Sequence, residues 1–151
     1  EAAGFYFTAE NERQIFIRKK ELYDGAIPSG NSVMLGSLIK LSSLSDREDF
    51  SDKAMDMIGH FIGEIDKYPT GYTQMICGLT YAYGECGEIT IIGDLKQEET
   101  KEMLKNISQE FLPNILLKHS KSTGMPTATL CLNKTCGEAT SNIQDILSKI
   151  L

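Results

Sequence analysis

The densest gathering of chemically capable side chains lies between Arg18 and Ser32. Arg18, Lys20, Glu21, Tyr23, Asp24, Ser29 and Asn31 place carboxylates, cations, a phenol, a hydroxyl and an amide on one short stretch. A sugar-binding site needs such a mixture. Carboxylates serve acid and base chemistry, amides and hydroxyls bind sugar hydroxyls, and aromatic rings stack on the sugar face. The same residues have a plainer use. Asp24 and Asn31 can fix a turn and cap a helix, while Gly25 and Gly30 supply backbone angles that other residues resist. The residue types leave both uses open.

A second group is sulfur. The cysteines are Cys77, Cys86, Cys131 and Cys136, and no Cys-x-x-Cys occurs. Neither a thioredoxin-type redox pair nor a zinc knuckle is therefore spelled out. Reduced thiols in a cytoplasmic protein are the default expectation. Cys131 and Cys136 flank Leu132-Asn133-Lys134-Thr135, which suits a tight turn. Structural thiols, a disulfide and half of a metal site all remain open for this pair; zinc needs four ligands and only two are local. The histidines, His60 and His119, stand far apart in sequence, one in a helical stretch and one at a strand end, so neither is expected to act as a catalytic base.

Charge and composition narrow the function classes. The net charge is −6, and an acidic surface repels phosphate backbones, so nucleic acid is not an expected partner. No apolar run is long enough for a membrane helix. Apolar residues make up 41% of the 151, enough for one real core, so stability need not come from disulfides or metal. The strand Glu88–Gly93 leading to a helix hints at a nucleotide-binding unit, but Gly93-Asp94-Leu95-Lys96 lacks the glycine pattern, and Glu98 and Glu99 would repel a phosphate at the helix start. The chain opens Glu1-Ala2-Ala3-Gly4 with no starting Met, basic segment or apolar segment. No signal peptide is expected, and the start is expected to be a cut inside a longer polypeptide.

The elements that must position these residues follow from period and punctuation. Residues 4–21 suggest a β-hairpin: Gly4 to Thr8 and Gln14 to Arg18 as arms, Glu10 to Arg13 as turn. The glycine- and proline-rich loop Asp24–Ser32 follows, and Asn31 or Ser32 is expected to cap a helix over Val33–Leu44. That helix is apolar nearly all round, which predicts a buried one. Ser45-Asp46-Arg47-Glu48 reads as a capping box for a second helix, whose Phe50, Ala54, Met57, Ile58, Phe61, Ile62 and Ile65 keep a 3.6-residue period up to Pro69. A third helix spans about Thr70–Tyr83, stopped by Gly84. Beyond it the order is β-α-β-β-α: a strand at Glu88–Gly93, a helix at Gln97–Leu112, strands at Asn114–His119 and Ala128–Leu132, and a helix opened by Ser141-Asn142-Ile143-Gln144. The first two of these strands should lie parallel, joined by a right-handed crossover.

One stretch carries a resemblance. Arg18-Lys19-Lys20-Glu21-Leu22-Tyr23-Asp24-Gly25-Ala26-Ile27-Pro28-Ser29-Gly30-Asn31-Ser32 is similar to a distinctive C-terminal segment of the family of spermatogenesis-associated protein 20 and bacterial thioredoxin-domain-containing proteins. Gly4-Phe5-Tyr6-Phe7-Thr8-Ala9 upstream, then Phe111-Leu112-Pro113-Asn114 and Cys131-x-x-x-x-Cys136 downstream, match in order. Lys19 departs from the pattern, where a proline is expected. The resemblance implies a longer protein: a thioredoxin-like domain, an (α/α)6 toroid like those of the N-acylglucosamine 2-epimerases and six-hairpin glycosidases, and this ending.

The expected class is thus α+β. Residues 1–85 would hold a β-hairpin and antiparallel helical hairpins of the toroid-like part, and residues 86–151 a small β-α-β-β-α unit. The partners implied are the N-terminal thioredoxin-like and toroid parts of the same protein, with no cofactor. Two functions compete: a contribution to a carbohydrate-type pocket by Arg18, Glu21, Tyr23, Asp24, Ser29 and Asn31, and a non-catalytic module packing on the thioredoxin-like domain. A complete active site would need residues from outside this chain, and a thiol-dependent activity of Cys131 and Cys136 is a third expectation.

Overall fold

The structure, a computed structural model, describes residues 3–11, 16–45, 47–133 and 135–151. It is of mixed α and β type and divides into two compact units, Glu1–Gly84 and Glu85–Leu151.

The first unit is helical. Its helices are α1 (Gly30–Ser45), α2 (Glu48–Lys67) and α3 (Thr73–Tyr83), with a short 3₁₀ turn at Pro69–Gly71 between the last two. α2 keeps the expected period: Ala54, Met57, Ile58, Phe61 and Ile65 are buried, with Asp and Glu largely on the opposite side. These side chains meet Leu35 and Leu38 of α1 and Met75 of α3 in one core. α1 and α3 approach closely at Gly78, where an added Cβ would stand 3.2 Å from the Leu35 side chain and 3.4 Å from the Gly36 nitrogen.

Several local expectations differ from the structure. The third helix begins not at Thr70 but after the 3₁₀ turn, since Pro69 and Gly71 favour a tighter turn there. The capping box at Ser45 does not form. Ser45 is the last residue of α1 and its hydroxyl returns to the Leu41 carbonyl, while Arg47 precedes α2 without a side-chain cap. Instead Arg47 forks onto Asp49 at 2.9 and 2.6 Å, and this hydrogen-bonded guanidinium holds the Asp49 carboxyl below its ordinary range. α1 is not buried all round either. Leu35 and Leu38 face the core, but Val33, Met34 and Leu41 are 48%, 36% and 45% exposed.

The expected hairpin at residues 4–21 is not a strand pair among the described residues, and its positions 12–15 lie outside them. One backbone bond crosses between the arms, Phe7 N–H to the Lys19 carbonyl at 2.8 Å. Gly4 explains why the first arm departs from a strand. It sits at φ 86°, in the left-handed region, with its Cα laid on Phe61, where a Cβ would meet the ring at 2.6 Å.

The second unit is a four-stranded mixed sheet with two helices. Its strands are β1 (Gly87–Ile92), β2 (Ile115–Ser120), β3 (Thr127–Leu132) and β4 (Thr135–Cys136), in the order β2-β1-β3-β4. β1 and β2 are parallel, joined through α4 (Glu98–Ser108); β3 runs antiparallel to both β1 and β4. Alternation places Ile89, Ile91, Ala128 and Leu130 on one face, where Met103 and Ile107 of α4 and Ile143, Ile146 and Leu147 of α5 (Ile143–Leu147) complete the core. Asn142, rather than Ser141, caps α5, accepting the Gln144 N–H at 3.2 Å.

Leu35 is fully buried between three helices. Leu35→Ala should lower the unfolding free energy by about 2–5 kcal/mol, the range for a truncated core leucine. Urea titration followed by circular dichroism measures it, and a loss below about 1 kcal/mol would show that this core is not packed as described.

Candidate functional site

The segment Arg18–Ser32 is where the polar side chains gather, and the structure gives Arg18, Lys20, Asp24, Ser29, Asn31 and Ser32 partners of a definite kind. Asp24 is 8% exposed. Its Oδ1 accepts the Ser29 N–H at 2.8 Å, and its Oδ2 accepts the N–H groups of Gln74 and Met75 at 2.9 and 3.2 Å. Those two donors belong to the first turn of α3, whose own cap position, Tyr72, offers no side-chain acceptor. A helix leaves its first N–H groups unpaired and its N-terminus favours negative charge. Asp24 therefore caps a helix fifty residues away, and its own N–H binds the Gly71 carbonyl at 2.8 Å.

Ser29 caps α1. Its carbonyl accepts the Val33 N–H and its Oγ accepts the Ser32 N–H at 3.1 Å. The two hydroxyls also share a hydrogen bond at 2.8 Å. The cap is thus Ser29, not Asn31 or Ser32, because the helix begins at Gly30.

Asn31, 3% exposed, is occupied elsewhere. Its Oδ1 accepts the Phe5 N–H at 2.7 Å, and its Nδ2 donates to the carbonyls of Phe5 and Glu21 at 2.9 and 2.8 Å. The amide pairs with both main-chain groups of Phe5, as a neighbouring strand would. Arg18 donates to the Thr8 carbonyl at 3.0 Å and Lys20 to the Ala3 carbonyl at 3.1 Å, and both cations lie over the Tyr6 ring, at 4.0 and 4.6 Å from its centroid.

Glu21 and Tyr23 alone of the expected pocket residues turn outward. Tyr23 is 60% exposed and meets Tyr72 edge to face, with centroids 6.5 Å apart. The structure therefore turns the side chains of Asp24, Ser29 and Asn31 to main-chain donors and acceptors, while those of Tyr23 and Glu21 are exposed. Its chemistry is that of a clamp, holding the N-terminal segment, α1 and α3 to one loop. His60 is exposed on α2 against Phe61, and His119 bonds the Gly93 carbonyl at 2.9 Å.

Cys131 and Cys136 are directly opposed on β3 and β4 and joined as a disulfide. Among the described residues no cluster of three or more His, Cys, Asp or Glu is arranged to hold a metal ion. A mainly apolar depression in the second unit lies among Phe111, Leu112, Pro113, Leu132 and Ile150, with Glu85, Asn114 and Lys149 also in its lining. No described helix is long and apolar enough to cross a membrane.

The functional feature missed in the sequence is the reach of Asp24. The only signal was negative: the start of α3 carries Tyr72, Thr73 and Gln74 but no acidic residue to serve its free N–H groups.

Comparison with known proteins gives a consistent relative. Over 116 residues, 76% of this chain, the sequence is 30% identical to spermatogenesis-associated protein 20 of Rattus norvegicus and of Mus musculus. The Homo sapiens protein of that name is 28% identical over the same length. The chain spans about 15% of the length of these relatives. No protein-family model matches it, and no solved structure does. The likeness supports kinship with that family and a place within a larger protein.

Asp24→Ala leaves three buried or half-buried N–H groups without an acceptor. The expected loss is roughly 2–4 kcal/mol, well above that of a surface substitution. Asp24→Asn should fall between, since the amide keeps one acceptor oxygen. Chemical denaturation of both variants checks this, and wild-type stability in Asp24→Ala would refute the clamp.

Proposed function

We propose that the chain is a non-catalytic packing module of a longer polypeptide related to spermatogenesis-associated protein 20, and that its helical unit is covered there by further helices of the same polypeptide. One observation carries this reading. α1 is apolar nearly all round, yet Val33, Met34 and Leu41 stand exposed on one side of it. Helices of that composition belong in an interior. Val33, Met34 and Leu41 form a stripe along one side of the helix, interrupted by the polar Ser37, whose hydroxyl turns back to the Val33 carbonyl. On α2, Met55 and Ile62 are likewise exposed, at 47% and 45%, seven residues apart on one face. Exposed large apolar side chains gathered along one side of a helix mark a place where another surface sits.

The occupant this reading commits to is the remainder of the longer chain, since the relatives extend far beyond the length matched. An arrangement of repeated helical hairpins, as in a toroid, would lay a neighbouring hairpin on α1 and account for the stripe. Carbohydrate binding is not part of the proposal. Asp24, Ser29 and Asn31 have their hydrogen-bonding atoms engaged by the main chain, so they offer nothing to a sugar hydroxyl.

Replacing Val33, Met34 and Leu41 together by Ser tests the reading. In this chain alone the triple variant should unfold within about 2–4 °C of wild type, because the stripe is already exposed, and should self-associate less in sedimentation. In the longer polypeptide the same variant should lower the melting temperature markedly, since each side chain then leaves an interior. An unchanged melting temperature there would sink the proposal.

A further inference from the structure

Three of the cysteines fall at one corner of the α/β unit. Cys131 on β3 and Cys136 on β4 form the disulfide. Between them Asn133, at φ 49°, donates its N–H to the Cys86 carbonyl at 3.2 Å, so the turn rests against the residue that precedes β1. Cys131 is half-buried and Cys136 is exposed.

The bridge is not what fastens these segments together. Beyond it, Gly137 N–H bonds the Leu130 carbonyl at 2.9 Å, and Ala128 and Thr140 exchange both backbone bonds, at 2.8 and 2.9 Å. Before it, β3 is paired with β1 up to Cys131 itself, opposite Glu88, and the turn between the cysteines is tied to Cys86. The chain is pinned on both sides of the sulfur atoms without them. The ring the bridge closes is short, with a sequence separation of 5, and a short ring restricts the unfolded chain least. No cysteine belongs to the core cluster of this unit. A bridge of small structural consequence with one exposed cysteine has the attributes of a labile disulfide, open to attack by a thiolate.

We propose that Cys131–Cys136 is an exchangeable redox site whose substrates are external thiols, and that it is not a structural staple. An external thiolate attacks Sγ of Cys136, the more exposed residue of the pair. The S–S bond breaks, a mixed disulfide forms on Cys136, and the electron pair leaves on Sγ of Cys131, which takes up a proton. A second external thiolate attacks the external sulfur of the mixed disulfide and releases Cys136, which is protonated in turn. Two external thiols are oxidised to their disulfide, and the bridge is reduced to two thiols. The reverse sequence, with the external disulfide as oxidant, restores it.

The test uses the full chain in native buffer at a series of reduced-to-oxidised glutathione ratios. Acid quenching, alkylation and peptide mass spectrometry then read the state of each cysteine. The expected result is a reversible passage from bridged to dithiol form across the series without denaturant. The Cys131→Ser/Cys136→Ser variant should melt within a few degrees of wild type. Three results would overturn the proposal: a bridge that resists millimolar reduced glutathione until denaturant is added; thiols that never pair under oxidised glutathione; or a double-serine variant whose melting temperature falls by more than about 10 °C.

Discussion

A single buried carboxylate sets the geometry of the helical unit. Asp24 gathers three main-chain N–H groups, one from its own loop and two from the first turn of α3. An isolated charge in an interior is costly, and the cost is offset only when the group is fully hydrogen-bonded. Here the need runs both ways. The carboxylate requires donors, and a helix without a local cap requires an acceptor. Once that exchange is made, the loop cannot move without unmaking the start of α3, and Ser29, held by the same carboxylate, fixes where α1 begins.

Asn31 extends the arrangement in the other direction. Its amide binds Phe5 and Glu21, so the N-terminal segment, the loop and α1 share one polar node beneath Phe61 and Gly4. Buried side chains that serve the main chain in this way resemble a binding site in composition, because both tasks need small polar groups with fixed geometry. What distinguishes them is where the lone pairs and protons point, and that is a property of the fold.

Much of the fold was legible in the sequence because it depends on period. α2, with its apolar residues at helical spacing, and the three longer strands and two helices of the second unit follow from local pattern, whereas the two-residue β4 was not expected. The misplaced features depend on partners remote in sequence. The Ser45 capping box matched a local motif, yet α1 runs on to claim Ser45. The aromatic Gly4–Thr8 segment has strand-like residues, but a left-handed Gly4 seats it on α2 instead. Of the candidate site, the residue types were legible and the roles were not. Nothing in Asp24-Gly25-Ala26 tells that the acceptors serve a helix whose first residue is Thr73. The exposure of one face of α1 was hidden for a similar reason: composition says that such a helix wants cover, and only coordinates say how much of the cover this chain provides.

The sheet of the second unit also ends in a particular way. On the side of β4 its last strand is two residues long, Thr135–Cys136. A long open edge offers a row of unpaired amides and carbonyls on which another chain can template itself, the first step toward cross-β association. A strand so brief offers too few such groups in line to seed a ladder. That border of the molecule therefore carries a built-in safeguard against aggregation that owes nothing to charge or proline.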